Sequence, residues 1–122
     1  MNNHIEVINR MMELVETMGE GLEYIQEKLE RDEPEKAVKM LLDTTHAFAS
    51  IEESLHSVLS ELPEEGIQEK TDTLRSALAE IVREYEKGQG HLALDIFKLE
   101  LYPAFNRWRE ELERVLKPYT MS

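Results

Sequence analysis

Apolar residues recur along this chain in alternating steps of three and four, and no segment alternates with a period of two. Steps of three and four trace one face of an α-helix, so four amphipathic helices are predicted and no strand. The first runs from about Asn3 to Arg31. Ile5, Ile8, Met12, Val15, Leu22 and Leu29 form its stripe, Gly19 and Gln26 occupy the two missing steps, and Met11, Met18 and Ile25 widen it. The second opens at "RDEPEKAVKMLL". Asp32 is placed to cap it, Glu35 completes a capping-box pattern, and Pro34 falls in the first turn, where no intrahelical donor is lost. Its stripe is Val38, Leu41, Thr45, Phe48, Leu55, Leu59 and Leu62, broadened by Leu42, Ile51 and Val58, and Pro63 is expected to end it. The third carries Ile67, Thr71, Leu74, Leu78, Ile81 and Tyr85 and closes at "KGQG", with Gly88 as the left-handed terminal residue. The fourth starts near Gly90 or His91 and is expected to stop at Pro118.

The fourth segment contains "LDIFKLELYPAFNRWREELERVL", residues 94 to 116, with Pro103 in its middle. Either a new helix starts at Pro103, or one helix continues with a kink and loses the bond to the carbonyl of Leu99. Leu94, Phe97, Leu101, Phe105, Trp108, Leu112, Val115 and Tyr119 keep helical phase straight through the proline, which favours the kink. Phe105 and Trp108 are expected in the core. Leu92, Ala93, Leu94, Ile96, Phe97, Leu99 and Leu101 make the half before Pro103 apolar on more than one face. That half either sits centrally against the other helices or turns its extra face to a partner or a second copy, and Tyr102 is the aromatic best placed to face one.

The connections "ERDE", "LPEEG" and "EKGQG" are short, which makes sequential helices antiparallel neighbours. The expected fold is all-α: an antiparallel up-down four-helix bundle with a proline-kinked fourth helix. A length of 122 residues suits one domain spanning 1–122.

Composition narrows the function. The net charge of −12 and a pI near 4.7 repel phosphate backbones and anionic membrane surfaces, and the 14 Lys and Arg residues form no local patch. Nucleic acid and membrane are therefore not expected partners. The absence of cysteine excludes disulfides, thiolate catalysis and cysteine-bound zinc. No basic segment followed by an apolar run opens the chain, and no apolar run is long enough to span a bilayer, so the cytoplasm is the expected location.

A helical bundle with these residue types could host two kinds of chemistry. Di-iron bundles need Glu-x-x-His pairs on two helices and single Glu ligands on two others. Glu53 with His56, and Asp43 with His46, have helical spacing, yet both pairs share the second helix, roughly 15 Å apart by helical rise. His4 and His91 lie near helix starts with no such motif. Magnesium-dependent nucleotide pyrophosphohydrolases use paired acidic motifs. Glu13, Glu16, Glu20, Glu23, Glu27 and Glu30 match the spacing, as do Glu69 and Asp72, but the first six form a continuous stripe that reads as a solvated face. Glu100 and the Gly19–Gly21 step complete the candidates, the glycines for close helix approach. No catalytic, cofactor or metal residue is assigned.

The piece "DIFKLELYPAFNRWREEL" resembles a helical pattern of small uncharacterised proteins of Gram-positive bacteria: Asp95, the Glu100–Leu101 pair, Pro103 three residues after that Glu, and Trp108. In size, acidity, helicity and lack of cysteine the chain is similar in type to flagellar and secretion export chaperones. That likeness is one of type and transfers no residues. The expected function, drawn from the apolar faces of helix four, is a non-enzymatic protein–protein interaction module, adaptor-like or export-chaperone-like, in which an apolar groove along helix four accepts a partner helix or a second copy and acidic flanks set charge preference. The alternative is a metal-dependent helical-bundle enzyme of di-metal carboxylate or pyrophosphohydrolase type.

Overall fold

The computed structural model describes residues 2–60, 66–88 and 90–120. They form α1 (Asn2–Glu30), α2 (Pro34–Leu59), α3 (Ile67–Glu86), and a fourth segment in four pieces. The pieces are a 3-10 turn (Gly90–Leu92), α4 (Ala93–Ile96), a π turn (Phe97–Leu101) and α5 (Tyr102–Thr120). No strand occurs among the described residues, so the fold is all-α.

Each helix buries one heptad-spaced face. In α1 it is Ile8, Met11, Val15, Met18, Leu22 and Ile25, so the buried stripe is rotated from the expected one: Ile5 is exposed, and Met12 and Leu29 lie at the margin. In α2 the face is Ala37, Leu41, Thr44, Phe48, Ile51, Leu55 and Val58. Thr44, not Thr45, faces inward; the Thr45 hydroxyl donates to the Leu41 carbonyl at 2.8 Å. The α3 stripe is as expected from Ile67 to Ile81.

Gly21 lies against Met40 and Thr44, Glu52 against Arg75, Thr71 against Trp108, and Gly19 against Phe105. Between α1 and the fourth segment, numbers rise on one side as they fall on the other: Lys98 pairs with Glu30, Phe105 meets Gly19, and Arg109 borders one cleft with Val15 and Glu16. Gly21 marks a close approach of α1 to α2. A Cβ there would stand 2.7 Å from the Thr44 hydroxyl oxygen, whereas one on Gly19 would meet only ordinary contact with Phe105 at 3.6 Å.

Two expectations about helix ends are corrected. Asp32 does not cap α2 and no capping box forms with Glu35. Asp32 has a left-handed backbone, φ 56°, and ends α1 instead. Its N–H bonds the Leu29 carbonyl at 3.2 Å, and the Glu33 N–H reaches back to Lys28 at 2.8 Å, the pair of bonds that closes a Schellman motif. With only three residues between α1 and α2, the same residue cannot both end one helix in the left-handed region and open the next in an extended one. Glu33 takes the N-cap place, with no side-chain cap bond, and Pro34 starts α2 as expected. Pro118 does not stop the fourth segment: α5 continues to Thr120 with Pro118 inside it. It is exposed, and the fixed φ of proline suits a helix. The expected stop at Pro63, and Leu62, lie outside the described residues. Gly88 behaves as expected, with φ 75° and its N–H on the Tyr85 carbonyl.

At Pro103 the segment stays helical, as expected, and a π turn, Phe97–Leu101, immediately precedes the proline. The Tyr102 N–H bonds the carbonyl of Phe97, five residues back. Burial explains why. Ala93, Phe97, Leu101 and Phe105 are all buried at successive steps of four. In a regular α-helix three such steps drift about 120° around the axis. A wider turn absorbs the surplus residue and keeps all four on the core side. The rings of Phe97 and Tyr102 stack across it, with centroids 5.7 Å apart and an interplanar angle of 15°.

Trp108 sits at the centre of the core, fully buried, edge-on to Phe48 at 5.4 Å and tilted against Phe105 at 6.0 Å. Its indole N–H donates to the Thr71 hydroxyl at 3.0 Å, and that hydroxyl donates to the Ile67 carbonyl at 2.7 Å.

Candidate functional site

The residues singled out for chemistry do not converge. Glu53, His56, Asp43 and His46 are all exposed on α2. Glu53 and His56 border a shallow depression against α3, but Arg75 occupies its other wall, bonded to Glu52 and, at 2.8 Å, to Asp72. The guanidinium, helped by the Gln68 amide, holds the Asp72 carboxyl below the usual aspartate range, so this acid is engaged in an ion pair. Glu69 is exposed beside it. His91 is exposed and borders a separate cleft with Leu29, Asp32, Pro34 and Leu94. The His4 side chain lies outside the described residues. Glu13, Glu16, Glu20, Glu23, Glu27 and Glu30 all face solvent. Among the described residues no three His, Asp or Glu side chains are grouped to hold a metal ion.

Two clefts combine apolar floor with charge. One, of about 460 Å³, lies between α1 and α5 and is lined by Met12, Val15, Glu16, Arg109, Glu113 and Lys117. Of its two cations, Arg109 is engaged within the chain: it lies over the Phe105 ring at 5.4 Å and donates to Asn106 at 3.1 Å. The other, of about 400 Å³, lies between α3 and the π turn with α5. Ala77 and Ala104 form its floor, Thr73 and Ser76 one wall, and Leu99 and Pro103 the other.

The second cleft owes its form to the π turn. Leu101 and Phe97 are held inward, so Leu99 between them projects outward and is 77% exposed, far more than Leu42 at 49%, the next large apolar residue among those described. Pro103 contributes no N–H, so a backbone carbonyl of this turn goes without its intrahelical donor. The charges are sorted by position. Glu80 and Glu100 stand at the Leu99 end and Arg107 at the far end, and Glu100 and Arg107 are both exposed. Glu100 is thus a rim carboxylate. Tyr102 is half-buried against Phe97.

Sequence reasoning marked helix four as apolar on several faces but did not single out Leu99, nor Ser76 and Arg107 on the opposite side of the cleft. The steps of four at Ala93, Phe97, Leu101 and Phe105 carried the signal for Leu99, because they require the turn that pushes it out.

No helix among the described residues is long and apolar enough to cross a membrane. No curated protein and no solved structure matches the chain. Residues 6–111 match Domain of unknown function (DUF8042), and the chain, matched over most of its length, belongs to that family.

Proposed function

We propose that this protein is a non-enzymatic protein–protein interaction module, adaptor-like or export-chaperone-like, whose docking face is the cleft between α3 and the π turn with α5. The single observation that carries the reading is the exposure of Leu99 beside Pro103. A leucine 77% open to water forgoes most of the roughly 1.5–3 kcal/mol that burial of such a side chain contributes, and a contact that covers it recovers that energy. The small floor residues Ala77 and Ala104 leave room for an incoming side chain, and the charged rim fixes its orientation. Scattered exposed apolar residues are ordinary on any surface. Leu99 differs because a backbone irregularity presents it next to a cleft.

The chain has no cysteine, so one introduced thiol is unique. Ser76→Cys places a photo-crosslinker in the cleft, and Glu20→Cys places the same reagent on the acidic face of α1. With the purified chain labelled at that thiol and then irradiated in an extract of producing cells, the expected result is a discrete adduct of one mass from the cleft position and none from the acidic face. Equal, diffuse labelling from both positions would contradict the proposal.

A further inference from the structure

We propose that the occupant of this cleft is a second copy of the chain, docked about a two-fold axis that crosses α5 between Pro103 and Ala104. The inference rests on the docking reading above and names the partner. It stands on the order of charges and shapes along one face. Glu100 lies three residues before Pro103, and Arg107 lies three residues after Ala104. Both are exposed, both border the cleft, and no ion pair between them or with another described residue forms within the chain. A two-fold axis at the midpoint brings Glu100 of each copy opposite Arg107 of the other, so two ion pairs form at once. Glu80, on the α3 wall at the acidic end, faces the same incoming guanidinium.

Shape follows the same reversal. Leu99 projects at the acidic end, while the Thr73 and Ser76 end of the cleft beside Arg107 has small side chains. Under the two-fold each Leu99 lies over the small-residue end of the other copy. An isologous contact needs one patch that is complementary to itself, and this patch has a knob and an acid at one end, a hollow and a base at the other. The chain's charge of −12 opposes approach of like copies at long range, but the Debye length near 8 Å in physiological salt confines that repulsion, and the local pairs have opposite sign.

The test is sedimentation equilibrium of the full chain in physiological salt, with helicity followed by circular dichroism to show that each variant is folded. The parent is expected at the mass of two chains. Glu100→Arg and Arg107→Glu, each alone, set like charges against each other and are expected at the mass of one. An equimolar mixture of the two variants restores opposite charges at both positions and is expected to return to two chains. Leu99→Lys is expected to stay a single chain in any mixture. A parent that remains a single chain up to about 1 mM, the weak limit of useful association, overturns the proposal, as does a mixture of folded variants that fails to associate. Failure here is separable from failure of the docking reading. A single-chain parent that still yields a discrete foreign adduct from Ser76→Cys refutes the second copy and leaves the docking face standing; one that yields no adduct refutes both.

Discussion

The indole N–H of Trp108 donates to the hydroxyl of Thr71 at 3.0 Å, joining α5 to α3 at the centre of the core. Both residues are buried, and the hydroxyl passes its own proton on to the Ile67 carbonyl. The relay satisfies the ring's one polar atom and fixes the rotation of α5 against α3, because a Trp whose N–H missed that hydroxyl would leave a donor unpaired in the core.

Removing the acceptor therefore costs more than its size suggests. Thr71→Val is expected to destabilise by about 1–3 kcal/mol, and Trp108→Ala by about 3–5 kcal/mol. Trp108→Phe combined with Thr71→Val should lose less than the sum of the two single changes, because the second change then strands nothing. Denaturant midpoints at unchanged slope measure all of these, and the parent's single tryptophan should emit in the blue. The Tyr85 hydroxyl makes the contrast: it is buried with no hydrogen-bond partner among the described residues, so Tyr85→Phe should be neutral or slightly stabilising. A strong loss at Tyr85, or additive losses at Trp108 and Thr71, would contradict this view of the core.

The two glycines of α1 should respond with opposite sign. Gly19→Ala gains helix propensity, roughly 1 kcal/mol, and meets only ordinary contact with Phe105. Gly21→Ala drives a methyl to 2.7 Å from the Thr44 hydroxyl and is expected to cost about 1–3 kcal/mol as overpacking. Thr44→Ala added to Gly21→Ala should recover much of the loss. Thermal melting checks the order, and a Gly21→Ala chain as stable as Gly19→Ala would show that α1 and α2 do not approach closely there.

How much of this was legible in the sequence depends on what fixes each feature. The helices, Gly88 as a helix end, and the aromatic core around Trp108 follow from spacing and local chemistry. Asp32 was misread because its type suits both an N-cap and a left-handed C-terminal position, and only the tightness of the three-residue connection decides between them. Pro118 was misread because near a helix end a missing donor is cheap. The π turn was half legible: continued phase through Pro103 excluded a break, but the successive steps of four that demand a wider turn are visible only once Ala93 is known to be buried. The exposure of Leu99 follows from that turn and inherits its obscurity.

Asp32 gives a prediction of its own. A left-handed residue with a side chain is strained where glycine is not, so Asp32→Gly should stabilise by up to about 1 kcal/mol. Gly88→Ala, at φ 75° with open space around it, should destabilise by a similar amount for backbone reasons alone. Chemical denaturation of both variants checks the pair, and an unstable Asp32→Gly would mean that the carboxylate holds more than the turn.

Acid titration tests the α2–α3 ion-pair group. Hydrogen bonds from Arg75, then from Gln68, lower the Asp72 pKa in the folded chain. A depressed folded pKa means that the contribution is present above the ordinary aspartate pKa and is lost as pH falls through the lower, folded value. The side chains are largely exposed, so the effect on stability is small. Arg75→Met should move the Asp72 titration, followed by carboxyl NMR, up toward the ordinary range; an unmoved titration would show that the pair does not persist in solution.

The central claim is that Leu99 serves contact rather than folding, and one measurement addresses it directly: crosslinking yield from Ser76→Cys with Leu99 intact and with Leu99→Lys, both chains confirmed folded. The account predicts a discrete adduct with leucine and its loss with lysine, at a stability changed by no more than about 0.5 kcal/mol, as for a surface position. A folded Leu99→Lys chain that gives the same adduct in the same yield would contradict it.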